Sequence, residues 1–219
     1  MPDIAPKKGS YDKTSRQIRN KMVDLGLNET LSYVLVPEAD AKMFTKDDYE
    51  SVKLLAPLSE DKNTLRHSVA VALYKIYEYN KARNNKDVSI FELGKAFQKK
   101  GDEYTETQKL AALMTGDYYT GIEKRKVDFY VIKGVAEEIL DYLGYSGRYS
   151  FVRDNNKIAD QMHPGQSAII SVNNDVVGFI GKVHPKVETE DVFILEIDLD
   201  LSLIHIFSNY NWNYFLLIF

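Results

Sequence analysis

Four histidines, His67, His163, His184 and His205, are the side chains of this 219-residue chain most suited to metal binding or proton transfer near neutral pH. No two of them stand four residues apart, no H-E-x-x-H is present, and there is no Cys to supply a thiolate. His163 precedes Pro164-Gly165 and His184 precedes Pro185, so both read as turn residues whose imidazoles bond to backbone. Three acidic clusters could draw Mg²⁺: Glu60-Asp61, Glu137-Glu138, and Glu188 with Glu190 and Asp191. They read instead as helix capping, a solvated helix face and a loop. No G-x-x-x-x-G-K-[ST] and no helix-opening G-x-G-x-x-G occurs, and Gly178 and Gly181 read as strand glycines at close packing. Arg66 and Glu92 remain, as a structural or interface pair joining a helix to a strand. The residues themselves therefore assign no catalytic, cofactor-binding or metal-binding position.

The elements that must position these groups centre on Leu54 to Gly94. Leu65, Val69, Leu73, Ile76 and Asn80 recur at steps of three and four, which predicts a long helix beginning near Thr64 and carrying Arg66. Ser59, Glu60 and Asp61 would cap its start, and Lys81, Arg83 and Lys86 suit its C-terminal end. Val88–Leu93 reads as a buried strand closed by Gly94.

Before this unit, residues 1–12 read as a linker and Lys13–Leu25 as a helix with an Ile18, Met22, Leu25 stripe stopped by Gly26. Glu29–Val36 alternates as a strand ended by Pro37, which can open a short helix through Phe44, and Ser51–Ala56 is a further short strand. After it come an extension at 96–98, a charged loop at 99–106, a buried strand at 110–115 and a loop at 116–126. Asp128 is placed to cap a helix through Leu143. Strands at 148–152, 167–172, 176–183 and 192–198 follow, with Asn173-Asn174-Asp175 as a hairpin turn. Strand runs broken by a few helices predict an α+β domain with a mostly antiparallel sheet. A net charge of −4 argues against a free-standing nucleic-acid module, although Lys7, Lys8, Lys13, Arg16, Arg19 and Lys21 cluster near the start. No run of 18 apolar residues is present to span a membrane.

PLSEDKNTLRHS (57–68) and YNKARNNKDVSIFELGKAF (79–97) resemble the core region of the beta subunit of bacterial phenylalanyl-tRNA synthetases. LGLNETLSYVLV (25–36), VDFYVIKGVAEEILDYLG (127–144), HPGQSA (163–168) and GFIGKVHP (178–185) resemble the same family, in the same order. The resemblance covers about residues 5 to 202. It implies a class II synthetase-like antiparallel core spanning 13–202 that has lost its active site. A catalytic class II site needs an Arg to clamp ATP phosphates beside an acidic partner, and a second Arg late in the chain. Here Ile90-Phe91 stands where the first belongs, and the late Gly-rich strand carries Lys182 but no Arg.

The family's holoenzyme is a cytoplasmic (αβ)₂ ligase that joins phenylalanine to tRNA(Phe) using ATP and Mg²⁺. Its catalytic residues lie on the alpha subunit. The resemblance thus implies a pseudo-catalytic scaffold that contacts the alpha subunit, binds no cofactor itself and is inactive alone. Met22, Leu25, Arg66, Glu92, Gly94, His163 and Gly165 are its candidate interface or structural residues. Two other classes stand beside this reading: a free-standing class II-like adenylate-forming ligase, and an RNA-binding adaptor. LIHIFSNYNWNYFLLIF (203–219) matches nothing the resemblance implies there, and the expectation is an altered or truncated reading frame.

Overall fold

A computed structural model describes residues 8–45, 49–57, 59–120, 122–153 and 158–200. The first helix, α1, runs Lys8–Asp24, so it begins inside the expected linker. Two short strands follow, β1 (Asn28–Glu29) and β2 (Leu35–Val36), then β3 (Thr64–Leu65), α2 (Ala70–Lys81), β4 (Val88–Lys100) and β5 (Glu103–Thr115). A small hairpin of β6 (Asp117–Thr120) and β7 (Glu123–Lys126) leads to α3 (Phe129–Tyr142). The chain continues as β8 (Tyr149–Arg153), β9 (Met162–Val172), β10 (Asp175–Val183) and β11 (Val192–Asp198).

One sheet in the order β1-β4-β5-β11-β10-β9-β8 organises these elements. Only β1 pairs in parallel, with β4; the other neighbours are antiparallel. Both faces are covered. On one, Ile18 and Met22 of α1 and Ile132, Val135, Ile139 and Leu140 of α3 pack on Phe91, Leu93, Leu110, Ala112, Phe193 and Leu195. On the other, Val71, Leu73, Tyr74 and Tyr77 of α2 pack on Val88, Ile90, Ala111, Leu113 and Ile194. Successive strand residues point to opposite faces, which is why β5 and β11 read as continuous apolar runs.

The mixed α+β class and the antiparallel sheet match the sequence reading. So do β11, the Asn173-Asn174 turn with both residues at positive φ (51° and 76°), and the Asp128 cap. The Asp128 side chain accepts from Val131 N at 2.8 Å. Asp128→Ala is expected to cost about 1 kcal/mol, read as a lower denaturant midpoint at unchanged m-value.

Other expectations are corrected. The second helix starts at Ala70, not near Thr64, because the backbone of 64–67 bonds elsewhere. Leu65 N donates to Val52 O, Arg66 N to Val34 O and His67 N to Ala41 O, at 2.9, 3.0 and 2.9 Å. Arg66 therefore sits on an extended segment. Glu60–Lys62 forms its own 3₁₀ turn rather than a cap for α2. The expected strand at 29–36 is broken between β1 and β2, and 51–56 contributes only a bridge from Lys53 to Thr64. Gly94 does not close its strand, since β4 runs on to Lys100. The expected loops at 99–106 and 116–126 are largely the β4–β5 and β6–β7 hairpins. Residues 1–7 of the expected linker, Lys7 among them, and the tail with His205 lie outside the described residues.

Candidate functional site

Arg66 leaves β3 with its backbone fixed on both sides: its N–H on Val34 and its carbonyl accepting from Phe97 N at 2.9 Å. The side chain then turns under the sheet, 1% exposed. Its Nη2 donates to Glu92 Oε1 at 2.8 Å, Nη1 to Ser32 Oγ at 2.6 Å and Nε to the Lys95 carbonyl at 3.0 Å. The Ser32 hydroxyl donates in turn to Glu92 Oε2 at 2.5 Å. Gly94 is required by this packing. A Cβ there would collide with the Arg66 guanidinium and lie 2.7 Å from Glu92 Oε1.

A second buried carboxylate lies two strands away. Glu92 of β4 and Glu196 of β11 both stand opposite Ala111 of β5, which separates their backbones by about 10 Å. Glu196 accepts from Ser68 Oγ at 2.6 Å, from Ala70 N at the start of α2 at 3.0 Å, and from Lys109 Nζ at 2.9 Å. Its charge thus suits the positive end of the helix. Gly178 admits β10 to this region, since a Cβ there would strike the Glu196 carbonyl.

Each buried carboxylate has its own cation, Arg66 for Glu92 and Lys109 for Glu196. Such matched pairs fix the placement of β3, α2, β4 and β11, and they leave neither carboxylate without a counter-charge. Sequence reasoning reached Arg66, Glu92 and Gly94. It missed Glu196, Lys109, Ser68 and Ser32. The available signal was Glu196 itself, an acid inside the apolar strand Val192–Ile197.

The other candidates lie apart from this network in role. Met22 is fully buried in the α1–α3 core; Leu25 packs against that core, and its carbonyl accepts from the Tyr118 hydroxyl. His163 lies in β9, where Nδ1 accepts from Gly165 N at 3.0 Å; His184 Nδ1 accepts likewise from Lys186 N. Among the described residues no group of three or more His, Cys, Asp or Glu could hold a metal ion. Glu137 pairs with Lys133, Glu138 with Lys21 and Asp191 with Lys182. Glu188 pairs with Lys81 at 2.6 Å. Burial raises the Glu188 pKa, but the Glu190 N–H and Lys81 outweigh it and hold the carboxyl below its usual range. Burial, then the Glu188 charge, pushes the Tyr77 phenol well above its usual range.

On the outer side of the 30–37 segment the surface changes character. An apolar groove of about 370 Å³ runs between this segment and α2, lined by Leu31, Tyr33, Leu35, Val36, Ile76 and Tyr79 among others. Leu31 and Tyr33 are 94% and 71% exposed. Lys62 Nζ lies 3.6 Å from the centroid of the Tyr33 ring, and the Arg83 guanidinium 3.3 Å from that of Tyr79.

The sequence family described as the phenylalanyl tRNA synthetase beta chain CLM domain matches residues 1–199. The chain belongs to this family. The phenylalanine–tRNA ligase beta subunit of Bacillus subtilis is 33% identical over 215 residues, covering 93% of this chain and 26% of that protein. That of Staphylococcus saprophyticus is 34% identical over 195 residues, covering 85% and 24%. This CLM-domain chain thus spans about a quarter of the length of the curated relatives it matches. Among solved structures, the pyrrolysyl-tRNA synthetase of Desulfitobacterium hafniense superposes with a TM-score of 0.63 at 17% identity, over 88% of this chain and 69% of that one. The CLM domain has the fold of a class II aminoacyl-tRNA synthetase core.

Proposed function

We propose that this chain is the core of a phenylalanine–tRNA ligase beta subunit and acts as a non-catalytic scaffold. It docks the alpha subunit, within an (αβ)₂ enzyme of the cytoplasm that charges tRNA(Phe) using ATP and Mg²⁺. The observation that carries the scaffold reading is the matched network of Arg66–Glu92 and Lys109–Glu196, which spends the sheet's buried charges on holding the fold. Ile90, where a phosphate-clamping Arg would be needed, is a buried core residue beneath α2, and Lys182 is paired with Asp191 at 2.5 Å. These placements weigh against a free-standing ligase. Arg19 and Lys21 are paired with Glu29 and Glu138, each at 2.7 Å, which weakens the case for an RNA adaptor. Among the described residues no helix is long and apolar enough to cross a membrane.

The apolar groove supports docking through the 31–36 segment, because exposed aromatic and aliphatic anchors beside cations are what interfaces use. Co-expression with a bacterial alpha subunit, followed by size and mass analysis, tests this. The chain is expected to co-elute with the alpha subunit. Leu31→Asp combined with Tyr33→Ala is expected to weaken the complex about tenfold or more, at an unchanged melting temperature. A wild-type chain that elutes alone overturns the docking reading. Adenylate formation by the chain alone overturns the non-catalytic one.

A further inference from the structure

We propose that Ser32, Arg66 and Glu92 form a positioning latch for the wall of the groove. Arg66 and Glu92, 1% and 2% exposed, set the affinity for the alpha subunit through Ser32, which itself lines the groove. This inference rests on the docking reading above and names the residues that shape that surface.

The argument begins with the gap between β1 and β2. The backbone of 30–34 joins the main sheet through Thr30, whose N–H and Oγ1 both donate to Phe91 O at 2.8 and 3.1 Å. It joins Arg66 through Val34 O. Between these points burial alternates along the chain, with Leu31 and Tyr33 exposed and Ser32 and Val34 partly buried. Leu31, Ser32 and Tyr33 all line the groove, and the Ser32 hydroxyl reaches from there to the buried pair of Arg66 and Glu92. That hydroxyl is then the side-chain tie of this stretch to the protein interior. It accepts from Arg66 Nη1 and donates to Glu92 Oε2, using both its capacities on two ions that are themselves almost fully buried. A charge-assisted bond at each end is stronger than a neutral one. The wall of the groove is thereby pinned to β4 at the middle of its free span.

Arg66 itself is a poor probe, since losing it threatens the fold. Ser32→Ala is the informative change. It removes the tie while the Arg66–Glu92 pair persists. Amide exchange at residues 31–35 is expected to rise about tenfold, with α3 amides unchanged, and the alpha-subunit Kd to rise about five- to twentyfold. Asp128→Ala, on the opposite face of the sheet and of similar thermodynamic cost, serves as the control. It is expected to leave both exchange at 31–35 and alpha-subunit affinity at wild-type values. A latch that is merely structural would move both variants' affinities together, and that result overturns the proposal. So does Ser32→Ala with unchanged exchange, or with faster exchange and unchanged affinity. If the wild-type chain binds no alpha subunit, the docking reading fails and the affinity claim fails with it. Exchange at 31–35 then separately decides whether the tie exists.

Discussion

Arg66→Met is expected to cost about 3–5 kcal/mol of folding stability, an effect several times larger than that of any surface ion pair in the chain. The reason is the partner left behind. Glu92 is 2% exposed and its two oxygens are met by Arg66 and by Ser32. Without the guanidinium, a carboxylate remains inside the sheet with one hydroxyl for company and no counter-charge. The Lys95 carbonyl loses its donor as well. The backbone bonds of Arg66 to Val34 and Phe97 survive, so the loss reads the side chain and not the strand. A triple variant, Arg66→Met with Glu92→Met and Ser32→Ala, is expected to recover most of the loss, because a buried pair replaced by apolar groups is often neutral. Urea denaturation followed by circular dichroism at constant m-value checks both. A loss below about 1 kcal/mol for Arg66→Met would sink the claim that the pair is truly desolvated. By contrast, Arg125 and Glu123, each 67% exposed, are expected to be worth almost nothing to stability.

The Arg66–Glu92 pair also marks how far the sequence alone could go. Arg66 and Glu92 were legible as a structural pair, although the sequence put Arg66 on a helix and the structure puts it on the segment after β3. Ser32 was not legible. Its role follows from the break between β1 and β2, where its hydroxyl bonds to Arg66 and Glu92, partners distant in sequence. Glu196 and Lys109 were hidden for a related reason. The register places Glu92 and Glu196 on either side of Ala111, and strand order across β4, β5 and β11 is a non-local fact. Local rules did well where the chain satisfied itself locally. Asp128 caps α3 by bonding three residues on, and Asn173-Asn174 closes its hairpin by its own backbone angles. They failed at Thr64–Ser68, where helical periodicity continued but distant carbonyls at Val52, Val34 and Ala41 claimed the backbone donors. Tertiary bonds outbid a propensity worth only tenths of a kcal/mol per residue.

Met22→Asp is the second change expected to have a large effect, and it bears directly on how interface experiments are read. The resemblance makes Met22 and Leu25 candidate interface or structural residues, and Met22 is 0% exposed and packs with α3 and β4 inside the chain's own core. Truncating a buried Met already costs about 2–5 kcal/mol, and an unpaired carboxylate in that cavity adds a desolvation penalty. The variant is therefore expected to be unfolded or aggregated at room temperature, with its cooperative thermal transition lost. Its failure to hold the alpha subunit would then report lost fold and nothing about docking. Val23, the next residue on α1, is 55% exposed, and Val23→Asp is expected to stay within about 0.5 kcal/mol of wild type. Comparing the two by thermal melting before any association assay separates the inner from the outer face of the helix. A Met22→Asp chain that melts at the wild-type temperature would mean that this face of α1 is not packed on the sheet, and the subunit-contact role of Met22 would be restored.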